Sequence, residues 1–308
     1  MERDNGFKKY LPTAPNYSLF LSPTNPTEIV KYVNSIESTS SSIDDISPIV
    51  IKHSVSFLLV PLTHIFNLSL KTGIFPEEMK KAKVIPFHKS GDRTNINNYR
   101  PISILPAFSK ILEKIIARRL VNYLEKYNFL SSSQHGYRCN HSTESALLQF
   151  VSNVNKFLDE RYYVVGLFLD LSKAFDSLDH KILVHKQSNI GNRGSPLHLS
   201  HSYISNRKQA VFCNNVYSST KIISSGVPQG SVLGPIPFLI YINDIVCAST
   251  KFKFTIYADD TTLLMADKNL QNLHTNLSNE ISRVHQWIKV NRLKLNVNKT
   301  NYILFQNR

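Results

Sequence analysis

The run YYVVGLFLDL, residues 162–171, is almost wholly apolar yet carries Asp170 inside it. A short run of this composition predicts a strand buried on both faces. A carboxylate in such a strand costs several kcal/mol unless something positive meets it. Further along, FTIYADDTTLL (254–264) ends an apolar run on two neighbouring carboxylates, Asp259 and Asp260, before a β-prone run resumes, which predicts a hairpin. Three carboxylates on short sheet elements are what divalent metal binding requires, because magnesium takes hard oxygen ligands and completes its shell with waters and substrate phosphates. Two such ions about 4 Å apart clamp an in-line displacement at phosphorus. The missing positive charge is therefore read as metal.

Helical spacing recurs from Ile46 to Leu70 and again in AFSKILEKIIARRLVNYL. There Phe108, Ile111, Leu112, Ile115, Ile116, Leu120 and Leu124 form one face, while Lys110, Lys114, Arg118 and Arg119 lie away from it and could meet phosphate. Ser172 is placed to cap a helix running through Asp179. Residues 221–246 pass from a strand through a Gly/Pro-rich loop into a helix, 268–290 form an amphipathic helix, and LKLNVNKTNYILF is expected to close the chain as a pair of strands. Four prolines in residues 1–27 and the Ser-rich break at 35–47 mark a peripheral N-terminal segment.

Charge narrows the function. The chain has 36 Lys+Arg against 22 Asp+Glu in 308 residues, a net +14, which points to a polyanionic partner such as nucleic acid. Three cysteines without a C-x-x-C pair (Cys139, Cys213 and Cys247) suggest neither a disulfide framework nor a zinc site, and fit a reducing, intracellular setting. SVSFLLVPLTHIFNLSL, broken by Pro61, His64 and Asn67, falls short of a membrane span, and MERDNGFKKYLP lacks the apolar core of a signal peptide. The expectation is a protein of the nucleus or cytoplasm with no membrane partner.

FLDLSKAFDSLDH (168–180), SSGVPQGSVLGPIPFLIYINDI (224–245), YADDTTLL (257–264) and LNVNKT (295–300) resemble, in order, the polymerase motifs of reverse transcriptases. VIPFHKSGDRTNINNYRPISILPAFSKILEKIIARRL (84–120) and SQHGYRCNHSTESAL (133–147) look like the fingers segments of non-LTR retrotransposon enzymes of the jockey and CR1-like lineages. The resemblance covers about residues 20–308. It implies an α+β right-hand polymerase core, fingers plus palm, in which an antiparallel palm sheet packs on helices. Residues 1–45 would be an N-terminal extension, with fingers over about 46–160 and 188–220 and palm over about 161–187 and 221–308.

The same resemblance implies an RNA-directed DNA polymerase acting on an RNA template, a DNA primer or nicked target DNA, and deoxynucleoside triphosphates, with two magnesium ions or manganese in their place. Asp170, Asp259 and Asp260 match the catalytic carboxylates, and the Leu171 backbone carbonyl adds a metal ligand. Phe175 matches the aromatic residue beneath the sugar that rejects a 2′-hydroxyl. Gln229 and Gly230 match the loop that touches nucleotide and template, Lys89 and Arg100 the cations that grip the triphosphate, and Lys299 the lysine that protonates the leaving pyrophosphate. Asp176 and Asp179 are assigned to structure, bonding helix N–H groups or pairing with cations.

Three departures stand against the pattern. Pro237 falls where relatives carry an aliphatic helix residue, and is tolerated if Pro235 is the first helical position. Asn192, Leu199 and Ser200 replace apolar and aromatic residues, predicting lost packing. The chain stops at Arg308, ahead of the family's primer-gripping hairpin and thumb, so a core with the thumb absent is expected. Two rivals follow: a truncated, degenerate domain that binds nucleic acid without processive synthesis, and a metal-dependent nuclease or phosphatase, which would need neither the Gln229 loop nor an aromatic at 175.

Overall fold

The computed structural model describes residues 5–37 and 40–306. Ser38 and Thr39 of the Ser-rich break, the first four residues and the last two lie outside them. The first half of the chain forms α1 (Pro26–Asn34), α2 (Pro48–Thr72), β1 (Lys81–His88), β2 (Tyr99–Ile104), α3 (Ala107–Lys126), α4 (Thr143–Asp159) and β3 (Tyr163–Leu169). There follow α5 (His180–Asn189), α6 (Ser195–Ile204), β4 (Lys208–Cys213), β5 (Val216–Tyr217), β6 (Lys221–Ile222) and α7 (Pro235–Ile242). The chain then adds β7 (Lys253–Tyr257), β8 (Asp260–Asp267), α8 (Leu270–Val290) and β9 (Asn301–Phe305).

Two compact units share these elements. One contains residues 1–13, 128–182 and 238–308, the other 14–127 and 183–237. These bounds differ from the expected lobes: residues 128–160 join the unit that holds β3, and residues 14–45 belong to the body of the second unit.

In the first unit the strands run β7-β8-β3-β9, all antiparallel. The central strand β3 is buried along nearly its whole length, as its apolar run predicts. On one face Val164 and Leu264 pack with Val154 of α4, with Phe150, Phe157 and Phe305 around them. On the other, Leu263 and Met265 are buried. A Cβ on Gly166 would meet the rings of Phe150 and Phe305 at 3.2 Å, so a bare backbone is what lets α4 and β9 close over the strand here. The closing segment differs from its expectation. It makes one strand, β9, preceded by a single bridge between Leu171 and Leu295 and a helical turn at Val297–Lys299, in place of a strand pair.

In the second unit a mixed sheet runs β2-β1-β4-β5, with β6 also on β4; β1 pairs antiparallel with β2 and parallel with β4. The predicted face of α3 forms its core, Ile111, Leu112 and Ile115 being wholly buried. On the opposite face, two of the four cations are engaged. Arg119 is ion-paired with Glu28 at 2.9 Å and donates to the Ser22 and Pro23 carbonyls, and Lys114 donates to Ser35. The N-terminal segment thus engages Lys114 and Arg119 of the surface expected to meet phosphate.

Helix α2 spans 25 residues and is, by length and composition, apolar enough to cross a membrane, although its sequence reads as interrupted. Pro61 lies within it without ending it. Asn67, the polar break, bonds both the N–H and the carbonyl of Thr24. Asn192 also departs from expectation: it is fully buried, and its amide donates to Gln187 and Ser200, while Leu199 is buried beside it. Two amide hydrogen bonds stand there in place of apolar packing, while the buried Asn192 Oδ1 has no partner. Helix α7 begins at Pro235, so Pro237 sits in its first turn, where no intrahelical N–H is needed.

Candidate active site

The site residues divide between the two units. In the first, the ladder joining β3 to β8 ends with Leu169 opposite Thr261. One step further along, Asp170 and Asp260 occupy facing positions. Tyr257 pairs with Asp260, so Ala258 and Asp259 are the two central residues of the hairpin turn. Ala258 has φ 56°, whereas Asp259 does not. This sign pattern is that of a type II′ turn, whose twist suits a two-residue hairpin. Asp170, Asp259 and Asp260 thus lie at one end of a sheet.

Asp170 is held from both sides of its backbone. Its carbonyl accepts from Asn296 at 2.8 Å, and Ser172 donates to Lys294, which leaves the Leu171 carbonyl outside that ladder. Thr300 Oγ1 lies 3.5 Å from the Asp170 N–H. Among the described residues, no side chain donates to or ion-pairs with the Asp170 or Asp260 carboxylate. Among the described residues, no group of three or more His, Cys, Asp or Glu is arranged to hold a metal ion. Asp170 and Asp260 offer hard oxygen donors at the edge of solvent, the donor type that magnesium takes when water and phosphate complete its shell.

Phe175 lies in a short helical turn, Ala174–Asp176, where a longer helix from Ser172 is expected. Lys173 at φ 50° breaks that helix, and Asp179, not Ser172, caps the following one by accepting from the N–H groups of Lys181 and Ile182. The Phe175 ring stacks on Phe238 at 4.5 Å and stays half-buried, so one face is packed and part of the ring is exposed. Lys299 is exposed at the Asp170 end of β9, two residues before Asn301, which pairs with Phe168.

The second unit holds Lys89, Arg100, Gln229 and Gly230. Arg100 pairs with Phe87 across the β1–β2 hairpin, and the Lys89 N–H donates to the Asn98 carbonyl. The period-two alternation places Lys89 and Arg100 diagonally on one face. Both side chains are exposed. The loop between them is folded by its own side chains: Asp92 accepts from Thr94, and Asn98 donates to the Asp92 carbonyl. The Gln229 carbonyl accepts from the Ser103 N–H at 2.7 Å, which draws the loop onto β2. Gly230 has φ 102°, and a Cβ there would stand 2.9 Å from the Ser103 carbonyl, so the position needs glycine.

Two supports have no counterpart in the sequence reading. Glu113, on the buried side of α3, accepts from the N–H groups of Val232 and Leu233 and from Ser109, holding the chain between Gly230 and α7. Burial pushes its carboxyl up, against the opposing pull of Arg207 and these donors. Tyr137, within the segment SQHGYR, is also pushed up, by burial and then by the nearby charge of Asp259. The bonds from Glu113 to Val232 and Leu233 have no local signal, since these partners are more than a hundred residues away.

The three carboxylates lie at the sheet end of the first unit, and the glycine loop and exposed cations lie in the second. Residues 85–307 match the family described as reverse transcriptase (RNA-dependent DNA polymerase), and the chain belongs to that family. It is 30% identical, over 94% of its length, to a probable RNA-directed DNA polymerase from transposon BS of Drosophila melanogaster, covering 33% of that protein. It is 31% identical, over 80% of its length, to the RNA-directed DNA polymerase from mobile element jockey of the same species, covering 28% of it. The chain therefore spans about a third of the length of these relatives. Among solved structures, an apo telomerase from Candida tropicalis truncated from the C-terminal domain aligns with TM-score 0.55 at 13% identity, over 87% of this chain and 59% of that one, a likeness of fold.

Proposed function

We propose that this chain is the fingers and palm core of a non-LTR retrotransposon polymerase that extends a DNA primer on an RNA template, the primer being supplied free or as nicked target DNA. The first unit serves as the palm and the second as the fingers. The observation that carries this reading is the facing of Asp170 and Asp260 across the end of the β3–β8 ladder with Asp259 in the adjoining turn. A nuclease would need the carboxylates but not the glycine loop or the half-buried Phe175.

Asp170 and Asp259 would hold two magnesium ions, or manganese, with the Leu171 carbonyl and Asp260 in support. Bound there, magnesium supplies Lewis acidity at the attacking 3′-hydroxyl and at the leaving pyrophosphate oxygen. The chain's own groups do the rest. Lys89 and Arg100 bind the triphosphate, Arg through its planar fork. Gly230 lets backbone approach the incoming nucleotide, and Gln229 beside it meets nucleotide and template. The exposed part of Phe175 excludes a 2′-hydroxyl, and the Lys299 Nζ gives its proton to the departing pyrophosphate. Such a reaction belongs in the nucleus or cytoplasm, where template and nucleotides are found.

The test is single-nucleotide extension of a labelled DNA primer annealed to RNA, with the four deoxynucleotides supplied one at a time. Extension by the complementary nucleotide alone, dependent on magnesium, is the expected result. Hybrid binding without any extension would favour the degenerate nucleic-acid binder.

A further inference from the structure

Ala258 stands where a type II′ turn favours glycine, because the first central residue takes a positive φ that a Cβ resists. Something must hold it there. Segment 133–136 runs beside β7: the His135 N–H donates to the Ile256 carbonyl and the Ile256 N–H to the Ser133 carbonyl, both at 2.8 Å. This puts Gln134, only 2% exposed, against the turn. Its Oε1 accepts from the Ala258 N–H at 3.0 Å and the Gly136 N–H at 2.7 Å, and its Nε2 lies 3.5 Å from the Ala258 carbonyl.

A side-chain amide can both accept and donate at one residue's backbone. By engaging the N–H on one peptide plane and the carbonyl on the next, Gln134 fixes the two planes that flank Ala258, and with them the direction in which Asp259 leaves the chain. The approach is close. A Cβ on Gly136 would stand 2.2 Å from the Ala258 nitrogen, so only glycine fits. The segment is anchored from behind, as His135 bonds Ser145 at 2.8 Å and Gln149 at 2.7 Å on α4.

We propose that Gln134 is a positioning residue for the polymerase reaction: its side-chain amide holds Ala258 in the left-handed conformation and so aims Asp259. This rests on the catalytic reading of Asp259 given above. It assigns to the SQHG segment the setting of the carboxylate turn, a role separate from contact with nucleic acid.

The test compares the 308-residue chain with Gln134→Met, which keeps length and bulk but can make neither bond, and with Gln134→Met/Ala258→Gly, in which glycine adopts the turn unaided. Hydrogen exchange of a peptide covering residues 254–264 reads the clamp without reference to activity, and single-turnover incorporation reads its consequence. Gln134→Met should exchange faster in this peptide. It should lose about ten- to a hundredfold in maximal rate, the scale of a displacement near 1 Å, with hybrid affinity and half-saturating nucleotide unchanged. Ala258→Gly should restore most of the rate. Unchanged exchange would overturn the clamp. Faster exchange with parental rate would overturn the positioning role, as would a rate loss that falls together with hybrid binding and is not restored by glycine. Failure of the catalytic reading would show separately, as an Asp259→Asn chain incorporating at the parental rate.

Discussion

Asp179 and Arg292, 113 residues apart, meet at 2.6 Å, and the same Asp179 carboxylate caps α5 through the N–H groups of Lys181 and Ile182. One side chain thus starts the helix after the Phe175 turn and ties it to the end of α8. Asp179→Ala should cost about 1–2 kcal/mol, the worth of a helix cap, read as a shift in denaturation midpoint with slope unchanged.

The pH response of that carboxylate has a definite sign. Burial raises the Asp179 pKa, but the Ile182 N–H and Arg292 outweigh it and leave the carboxyl below its ordinary 3.8. Its contribution is present above that value and is lost as acid carries pH down through the lowered pKa. Parent and Asp179→Asn should therefore differ most near neutrality and converge in acid. A gap that widens on acidification would contradict the pairing.

Glu113 has the opposite sign. Its carboxyl is raised above 4.5 by burial, so the folded state holds the proton more tightly than the unfolded chain does. The associated stability is full below 4.5 and is lost as pH rises through the raised value. Denaturation across this range should show the parent losing stability relative to Glu113→Gln as pH rises. The same substitution should disturb the Gly230 loop, seen as a higher half-saturating nucleotide concentration.

Salt dependence separates free cations from occupied ones. Arg100 is exposed, whereas Arg119 is tied to Glu28 and two carbonyls. Arg100→Ala should lower the log–log salt slope of hybrid binding by about 1. Arg119→Ala should leave the slope nearly unchanged and lower the unfolding midpoint.

Phe175 should report on the sugar. Replacing it with Val removes the exposed ring edge and its stack on Phe238, and should raise ribonucleotide use relative to deoxyribonucleotide use in competition. An unchanged ratio in a folded, active variant would leave Phe175 as packing for Phe238 alone.

Much of this is legible along the chain because its signals are local. The buried strand, the carboxylate hairpin and the helices flanking them follow from periodicity, and the motif order points to the family. What stays hidden depends on distant partners. The basic face of α3 looks solvent-bound until Glu28, 91 residues away, is seen to pair with Arg119. Ser172 has the right chemistry for a cap, but Lys173 turns left-handed and passes that role to Asp179. Gln134 reads as one polar residue in a loop, and its function exists only because β7 brings Ala258 beside it.

The most direct test of the account is single-nucleotide incorporation by Asp259→Asn beside its affinity for an RNA–DNA hybrid. The substitution keeps size and removes charge, so incorporation should fall by about a thousandfold or more, while the hybrid dissociation constant changes less than about twofold. Incorporation near the parental rate would show that the carboxylates at the end of the β3–β8 ladder are not the seat of the chemistry.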